Sequence, residues 1–234
     1  MNRKELIEYL IQNGASKVGI ANLSKLTKTD MITGISILVK IPKSVIKSIA
    51  DGPNMDYYDQ YNLINDKLDD LTNLGAEYIR TKGYEAIAQT TDYVKLDENY
   101  RTELPHKTVA TMAGLGWIGK SALFITKEYG SAIRLTSILT NAELEYGEPI
   151  TKSICGDCNL CVEACPGHAI SGKLWDNQTD RDEILNPIKC FNKARQLSKD
   201  RMNIDITLCG KCIEVCPYTK GYLNNKKGEK YECL

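Results

Sequence analysis

The chain has 234 residues, of which 42% are hydrophobic and 26% charged, as in an ordinary globular protein that folds in water. Thirty basic residues balance thirty acidic ones, which argues against a strongly basic surface of the kind that grips a long nucleic acid. The charged N-terminus has no signal-peptide core, and no apolar run approaches the roughly 20 residues that span a bilayer. We therefore expect a cytoplasmic protein with no membrane partner.

The first half of the chain alternates between helical and strand patterns. The patterns predict helices over residues 2–13, 56–82 and 109–113, and strands near 18–21, 35–39, 86–88 and 132–139. This alternation indicates an α/β domain, which we expect over residues 1–148. A second domain is predicted over residues 149–222, followed by a tail over 223–234.

A glycine-rich stretch, HKTVATMAGLGWIGKSALFI, covers residues 106–125. Its Gly-x-Gly-x-x-Gly pattern follows a predicted helix and precedes a strand, which is the reverse of the dinucleotide-binding fingerprint, so a Rossmann site is rejected. Two interpretations remain open. The glycines form either a tight helix-to-strand connection that Trp117 fills, or a surface that binds a large planar cofactor.

Eight of the nine cysteines lie between residues 155 and 216, with the spacing of bacterial ferredoxins. The first motif, C-x2-C-x2-C-x3-C-P, begins at Cys155, and a second, C-x2-C-x3-C-P, begins at Cys209. This spacing holds two 4Fe–4S clusters, because the first cysteines reach one cluster and the cysteine before the proline reaches the other. The second motif lacks one ligand, which Cys190 supplies from a polar excursion over residues 174–200.

The spacing therefore predicts two ligand sets, with Cys233 left over. The ligands are Cys155, Cys158, Cys161 and Cys216 for the first cluster, and Cys165, Cys190, Cys209 and Cys212 for the second. A zinc ribbon, with two separated pairs of cysteines, fits this spacing poorly. A disulfide framework is less expected still, because nothing in the chain points to secretion.

These motifs resemble a known family. The segment AGLGWIGKSALFITKEYGSAIRLTSILTN, followed by CGDCNLCVEACPGHAI, a lone cysteine and CGKCIEVCPYTKGY, resembles epoxyqueuosine reductases of queuosine biosynthesis and the catalytic part of corrinoid reductive dehalogenases. The resemblance implies an α+β protein, in which a nitroreductase-like cobalamin-binding domain precedes a ferredoxin-like double 4Fe–4S domain. It also implies an oxidoreductase whose two clusters pass electrons from a donor such as ferredoxin or flavodoxin to a corrinoid that reduces the substrate.

The resemblance also implies roles for residues before the cysteines. The corrinoid contacts it implies are His106, Lys107, Gly114, Leu115, Gly116, Trp117, Ile118, Gly119 and Lys120. Tyr100 occupies the position of the family's proton-donating aspartate, and reductive dehalogenases use a tyrosine there. No Asp-x-His-x-x-Gly motif surrounds His106 or His168, so no histidine is expected on cobalt.

Two kinds of substrate remain possible, a queuosine precursor in tRNA and a small molecule. Epoxyqueuosine reductases usually continue into a helical-repeat domain that helps hold tRNA, and the sequence stops before such a domain. Two other functions also remain open. One is a ferredoxin-type electron-transfer protein with two clusters. The other is an iron–sulfur reductase that binds a flavin on its nitroreductase-like domain.

Overall fold

A computed structural model describes residues 1–225 of the chain. These residues contain nine helices and six strands. In chain order they are α1 (Arg3–Gln12), β1 (Lys17–Asn22), β2 (Thr33–Lys40), α2 (Lys43–Ser48), α3 (Met55–Thr81), β3 (Ala86–Ala88), α4 (His106–Met112), β4 (Trp117–Ile118), β5 (Phe124–Ile125), β6 (Ile133–Thr140), α5 (Leu160–Glu163), α6 (Arg181–Ile184), α7 (Pro187–Met202), α8 (Lys211–Glu214) and α9 (Pro217–Leu223).

The chain forms two compact units, each assembled from separate stretches of sequence. The first unit comprises residues 1–40, 63–116 and 134–151, and the second comprises residues 41–62, 117–133 and 152–234, of which the structure describes those up to 225. The predicted cofactor domains, with boundaries at residues 148 and 222, remain a prediction.

A four-stranded sheet in the order β1-β2-β6-β3 lies in the first unit. β1 pairs antiparallel with β2, and β3 pairs antiparallel with β6. Helices approach the sheet where glycine leaves room. A side chain on Gly34 of β2 would lie 2.7 Å from Val109 of α4, and one on Gly75 of α3 would lie 2.6 Å from Ile138 of β6. This packing fixes α4, and therefore His106 at its start, against the sheet.

The second unit is built from short helices and the β4–β5 hairpin. Trp117 of the hairpin is 1% exposed and packs edge-on against Tyr218 of α9, with ring centroids 4.9 Å apart. The Tyr222 hydroxyl donates to the Ile41 carbonyl oxygen over 3.0 Å, which holds the end of α9 within the unit.

The elements of the first half largely agree with the sequence patterns, although α2 and β4 were not predicted. The polar excursion over residues 174–200 carries Cys190 as predicted, but it contains α6 and most of α7, two helices that the sequence analysis did not predict. Asn186 caps α7, and Ala194 and Ser198 are buried on one face of the helix, a short stripe that polar neighbours obscure in the sequence.

Helix α9 ends at Leu223 with Tyr222 buried, so the predicted tail over residues 223–234 begins within a helix. The rest of the predicted tail lies beyond residue 225 and so outside the described residues. Within residues 1–225, no helix combines the length and apolar character needed to cross a membrane.

Candidate metal centre

The cysteines lie on short turns and helix ends that present sulfur atoms close to backbone N–H groups. The Cys158 N–H donates to the Cys155 carbonyl oxygen over 3.2 Å, which closes the turn before α5. Cys216 is the N-cap residue of α9, with Pro217 in its first turn. The Ala169 N–H donates to the Cys165 sulfur over 3.4 Å. The cysteine–proline pairs therefore start or follow helical turns, as the ferredoxin spacing predicts.

One group of cysteines surrounds a pocket in the second unit. Cys155, Cys158, Cys161 and Cys216 line it, together with Cys212. The pKa of Cys161 is raised to about 11, mainly by burial and also by the neighbouring thiols Cys155 and Cys216. Burial also raises the pKa of Cys216, and among its neighbours the charge of Cys155 acts in the same direction. The structure thus brings the four predicted ligands of the first cluster to one place.

The other four cysteines form a second group. Burial raises the pKa of Cys190, and Cys165 and Cys209 add to the shift. Burial likewise raises the pKa of Cys212 well above its ordinary value, with smaller effects from Cys209 and Cys190. Cys212 also interacts with Cys161 of the first group. The two groups are therefore neighbours, and Cys212 faces both.

These raised pKa values have a chemical consequence. A buried thiolate surrounded by other thiolates is unfavourable unless a cation compensates the charge, and the thiolate is the form that binds metal. Within the described residues, no three histidine, cysteine or acidic side chains converge to hold a single metal ion. A 4Fe–4S cluster does not need such convergence, because each thiolate binds a different iron. The donor set therefore fits iron–sulfur clusters.

Cys158 differs from the other predicted ligands. Seven of the eight are free thiols, whereas Cys158 is disulfide-bonded. Its sulfur would have to be released by reduction before it could bind iron. The eight ligand assignments remain a prediction.

Lys120 is a buried cation at the first cysteine group. Its side chain lines the same pocket, and its Nζ donates to the Asn159 Oδ1 over 2.9 Å. The positive charge of Lys120 opposes the rise in the pKa of Cys161 that burial causes. Sequence reasoning placed Lys120 in the glycine-rich loop but missed Asn159. The position of Asn159 between Cys158 and Cys161 was the available signal.

The glycines of the predicted cofactor loop are packed by the chain itself. A Cβ on Gly114, whose φ is +72°, would lie 2.4 Å from the Glu148 carbonyl oxygen. A Cβ on Gly119 would lie 2.4 Å from the Ile125 Cδ1 and 3.4 Å from the Cys155 sulfur. Close packing within the chain thus accounts for both glycines.

The remaining loop residues are largely buried. Leu115, Gly116 and Trp117 are buried and Ile118 is half-buried. Across the described residues, the buried Trp117 Nε1 finds no hydrogen-bond acceptor. An unpaired buried donor is costly, so a bound polar group would complete this site.

His106 is held in the first unit by a residue that the sequence analysis missed. Its Nδ1 lies 2.8 Å from the Oγ of Ser137, a buried serine of β6. The pKa of His106 is lowered to about 4, mainly by burial. The charge of Asp69 acts to raise this pKa, and the charge of Arg134 acts to lower it. His106 is therefore neutral at pH 7. Lys107 follows it in the first turn of α4 and is half-buried.

Tyr100 lies on a turn and is 40% exposed, with a φ of +57°. Its N–H donates to the Asp97 carbonyl oxygen over 3.0 Å. The Asp97 Oδ1 accepts from the N–H groups of Asn99 and Arg101, at 2.8 and 2.9 Å. The turn therefore fixes Asp97 in a structural role and leaves the Tyr100 side chain partly in solvent.

Comparison with known proteins supports this interpretation of the cysteines. Residues 154–219 match the family model for a 4Fe–4S double cluster binding domain. The epoxyqueuosine reductase of Listeria monocytogenes is 38% identical over 122 residues, which are 51% of this chain and 31% of the relative. The chain thus spans about a third of the length of that curated relative.

Two solved structures share the fold. An epoxyqueuosine reductase in complex with an epoxyqueuosine-modified tRNA-Tyr stem loop has a TM-score of 0.61 and 23% identity, covering 94% of this chain and 66% of the other. A reductive dehalogenase, whose structure suggested a mechanism for B12-dependent dehalogenation, has a TM-score of 0.65 and 19% identity, covering 92% of this chain and 30% of the other. The predicted resemblance and the mixed α/β fold are confirmed: the chain carries a 4Fe–4S double cluster binding domain and is similar in sequence and fold to epoxyqueuosine reductases.

Proposed function

We propose that the chain is an iron–sulfur reductase of the epoxyqueuosine reductase type that works with a corrinoid. The observation that carries the proposal is the division of eight cysteines into two groups within a region matching a double-cluster domain. In this proposal, the first cluster is held by Cys155, Cys158, Cys161 and Cys216, and the second by Cys165, Cys190, Cys209 and Cys212. Two adjacent clusters would supply a one-electron relay.

The protein contributes a buried setting for that relay. Backbone N–H groups of Tyr218 and Thr219 bond the sulfur of Cys216 and act against the rise in its pKa caused by burial. Hydrogen bonds to sulfur and exclusion of water are two of the means by which a protein sets the potential of a cluster. Tyr218 and Thr219 lie in the first turn of α9, of which Cys216 is the N-cap residue, and the first N–H groups of a helix have no partner within it.

The first cysteine group also adjoins the segment proposed to contact the corrinoid. Gly119 packs on Cys155, and Lys120 lines the same pocket as Tyr218. The unpaired Nε1 of buried Trp117 is a donor for a polar group of the cofactor. A bound corrinoid would supply the low-potential cobalt centre that reduces the substrate. His106, Lys107 and the residues from Gly114 to Lys120 remain the proposed contacts.

The proposal includes cobalt without a histidine ligand. The His106 Nδ1 is engaged with Ser137, and no cobalamin-type histidine motif surrounds His106 or His168. Electron paramagnetic resonance of the Co(II) form should therefore show no hyperfine splitting from a protein nitrogen. Splitting that disappears in His106→Ala would contradict this part of the proposal.

Tyr100 is proposed to donate the proton that reduction of the substrate requires. A tyrosine hydroxyl is protonated at neutral pH and can act as a general acid. Its 40% exposure on a turn means that donation requires the turn to close over bound substrate. Lys107 and Arg101 lie near Tyr100 in the sequence and would stabilise the phenolate left after donation.

The proposed substrate is epoxyqueuosine in tRNA, from which the enzyme removes the epoxide oxygen. The name of the 38% identical relative and the tRNA stem loop bound by the 23% identical structure support this choice over a small molecule. Ferredoxin or flavodoxin is the proposed electron donor, because each delivers one electron at low potential.

Incubation with epoxyqueuosine-modified tRNA tests the proposal directly. The full chain would be reconstituted anaerobically with iron, sulfide and cobalamin and reduced with titanium(III) citrate. After the reaction, the tRNA nucleosides would be separated by chromatography and identified by mass spectrometry. We expect queuosine to form when cobalamin is present and not when it is left out. Unchanged epoxyqueuosine with fully loaded protein would exclude this substrate and favour a small molecule.

A further inference from the structure

Lys120 is a buried cation whose function the fold itself does not explain. Its side chain is 6% exposed and its Nζ donates to the Asn159 Oδ1 over 2.9 Å. Burying an ammonium group is costly unless a negative charge compensates it. Among residues 1–225, the hydrogen bond to this neutral amide is the one polar contact of the ammonium, which forms no ion pair with a carboxylate.

The anionic group that would compensate Lys120 is a cluster bound by the thiolates of the first cysteine group. Lys120 lines the pocket that Cys155, Cys161 and Cys216 surround. A 4Fe–4S cluster bound by four thiolates carries net negative charge, and a nearby fixed cation in a buried place interacts with it strongly. Asn159 orients the ammonium from the turn between Cys158 and Cys161.

We propose that Lys120 raises the reduction potential of the first cluster by stabilising its reduced form, with Asn159 as the residue that positions its ammonium. This inference rests on the proposed cluster ligands. Reduction adds one electron, and therefore one negative charge, to the cluster and its thiolates, while no bond breaks and no proton is taken up. A fixed positive charge favours the more negative state, so the first cluster accepts an electron more readily than it would without Lys120.

A redox titration of the reconstituted full chain tests the inference. Titanium(III) citrate supplies the electrons, and electron paramagnetic resonance follows each cluster as the potential is lowered. In a Cys190→Ala background the second site holds no intact 4Fe–4S cluster, so the signal of a reduced 4Fe–4S cluster belongs to the first cluster. Lys120→Met removes the charge and keeps the length of the side chain. We expect it to weaken reduction of the first cluster about tenfold, which is a shift of about 59 mV to more negative potential for one electron.

Two further variants separate charge from packing. Lys120→Arg keeps the positive charge and should leave the potential close to that of the wild type. Lys127→Met removes the charge of an exposed lysine nearby in the sequence and should change neither cluster. If Lys120→Met does not assemble clusters, Asn159→Ala serves instead, and we expect a smaller shift in the same direction because the ammonium loses its anchor.

The outcomes distinguish this inference from the proposed function. If Lys120→Met keeps its full iron content and the potential of the first cluster does not change, the role of Lys120 is overturned and the clusters stay in place. Where Lys120→Met does not assemble, the same result in Asn159→Ala leads to the same conclusion. A shift in Lys120→Arg as large as in Lys120→Met would assign the effect to packing and would also overturn it. Wild-type protein without clusters would overturn both the proposed function and this inference.

Discussion

The cysteine site and the segment from Tyr100 to His106 carry chemistry in different ways. In the cysteine site, thiols from two distant motifs lie together, Cys216 buried and the other free thiols half-buried. Burial and the neighbouring thiols raise the pKa of Cys161 to about 11. In the other segment, His106 is fixed to buried Ser137, whereas Tyr100 lies 40% exposed on a turn. The comparison shows that mutual contacts bring the cysteines together in the folded chain, although Cys158 must first be released from its disulfide. The site at the turn depends on what binds there.

Replacing Cys190 tests the more complete of the two sites. Cys190→Ala removes the one ligand that lies outside both motifs, so the second cluster should be lost or reduced to a three-iron form. Iron content should then fall from about eight atoms per chain to about four if the cluster is lost, or to about seven if a three-iron form remains. Cys233→Ala is the matched control and should keep its iron. Iron loss in Cys233→Ala, with full iron in Cys190→Ala, would show that the ligand assignment is wrong.

Tyr100→Phe tests the turn. If Tyr100 is the proposed general acid, its removal should lower turnover of the proposed substrate by about 10²-fold, since proton transfer contributes that much or more to such reactions. Iron and cobalamin contents should stay unchanged, because the hydroxyl is proposed to contact neither cofactor. Turnover at the wild-type rate would remove Tyr100 from the mechanism and direct attention to Glu98 and Glu103, since Asp97 is held by the turn.

The substitution Gly130→Ala tests whether the cysteine site depends on close packing around Cys216. A Cβ at this residue would lie 2.2 Å from the backbone nitrogen of Thr219, and its φ is +59°. Overpacking and backbone strain together should make Gly130→Ala about 2–4 kcal/mol less stable. Because the Thr219 N–H bonds the Cys216 sulfur, iron binding should weaken as well.

Gly83→Ala provides the control for Gly130→Ala. Gly83 has a φ of +86°, but a Cβ there would have no atom within 4 Å. This variant should lose about 1 kcal/mol from backbone strain alone and keep its iron. Equal shifts in the urea midpoints of the two variants would contradict a packing role for Gly130.

The buried imidazole of His106 makes stability depend on pH. Its pKa of about 4 in the folded chain is below the ordinary value of 6.5, so the unfolded chain binds more protons between these pH values. The neutral imidazole thus contributes stability above about pH 6.5, and this contribution is lost as the pH falls toward 4. Nuclear magnetic resonance of the imidazole, with His168→Gln to assign the signals, should show no titration between pH 8 and 5.5. A midpoint near 6.5 would contradict the buried environment.

Short-range patterns predicted much of this fold, and distant contacts account for what they missed. The apolar periodicity of α3 and the β-rich run of β2 are local signals, and both elements occur as predicted. The sequence patterns missed α7 because its buried face consists of two small residues, Ala194 and Ser198, which give a weak apolar periodicity. Cysteine spacing predicted which thiols lie together, because the ferredoxin pattern assigns the cysteine before the proline of each motif to the group of the other motif. Ser137 and Asn159 could not be assigned, because their roles depend on contacts with His106 and Lys120 that arise on folding.

Metal analysis of the anaerobically reconstituted chain, read together with its absorption spectrum, tests the central claim most directly. The account predicts about eight irons and one cobalt per chain, with the broad absorption of 4Fe–4S clusters beside that of a corrinoid. Iron without cobalt would favour an electron-transfer protein, and a flavin band in place of cobalt would favour a flavin reductase. Zinc in place of iron at the cysteines would contradict the account at its foundation.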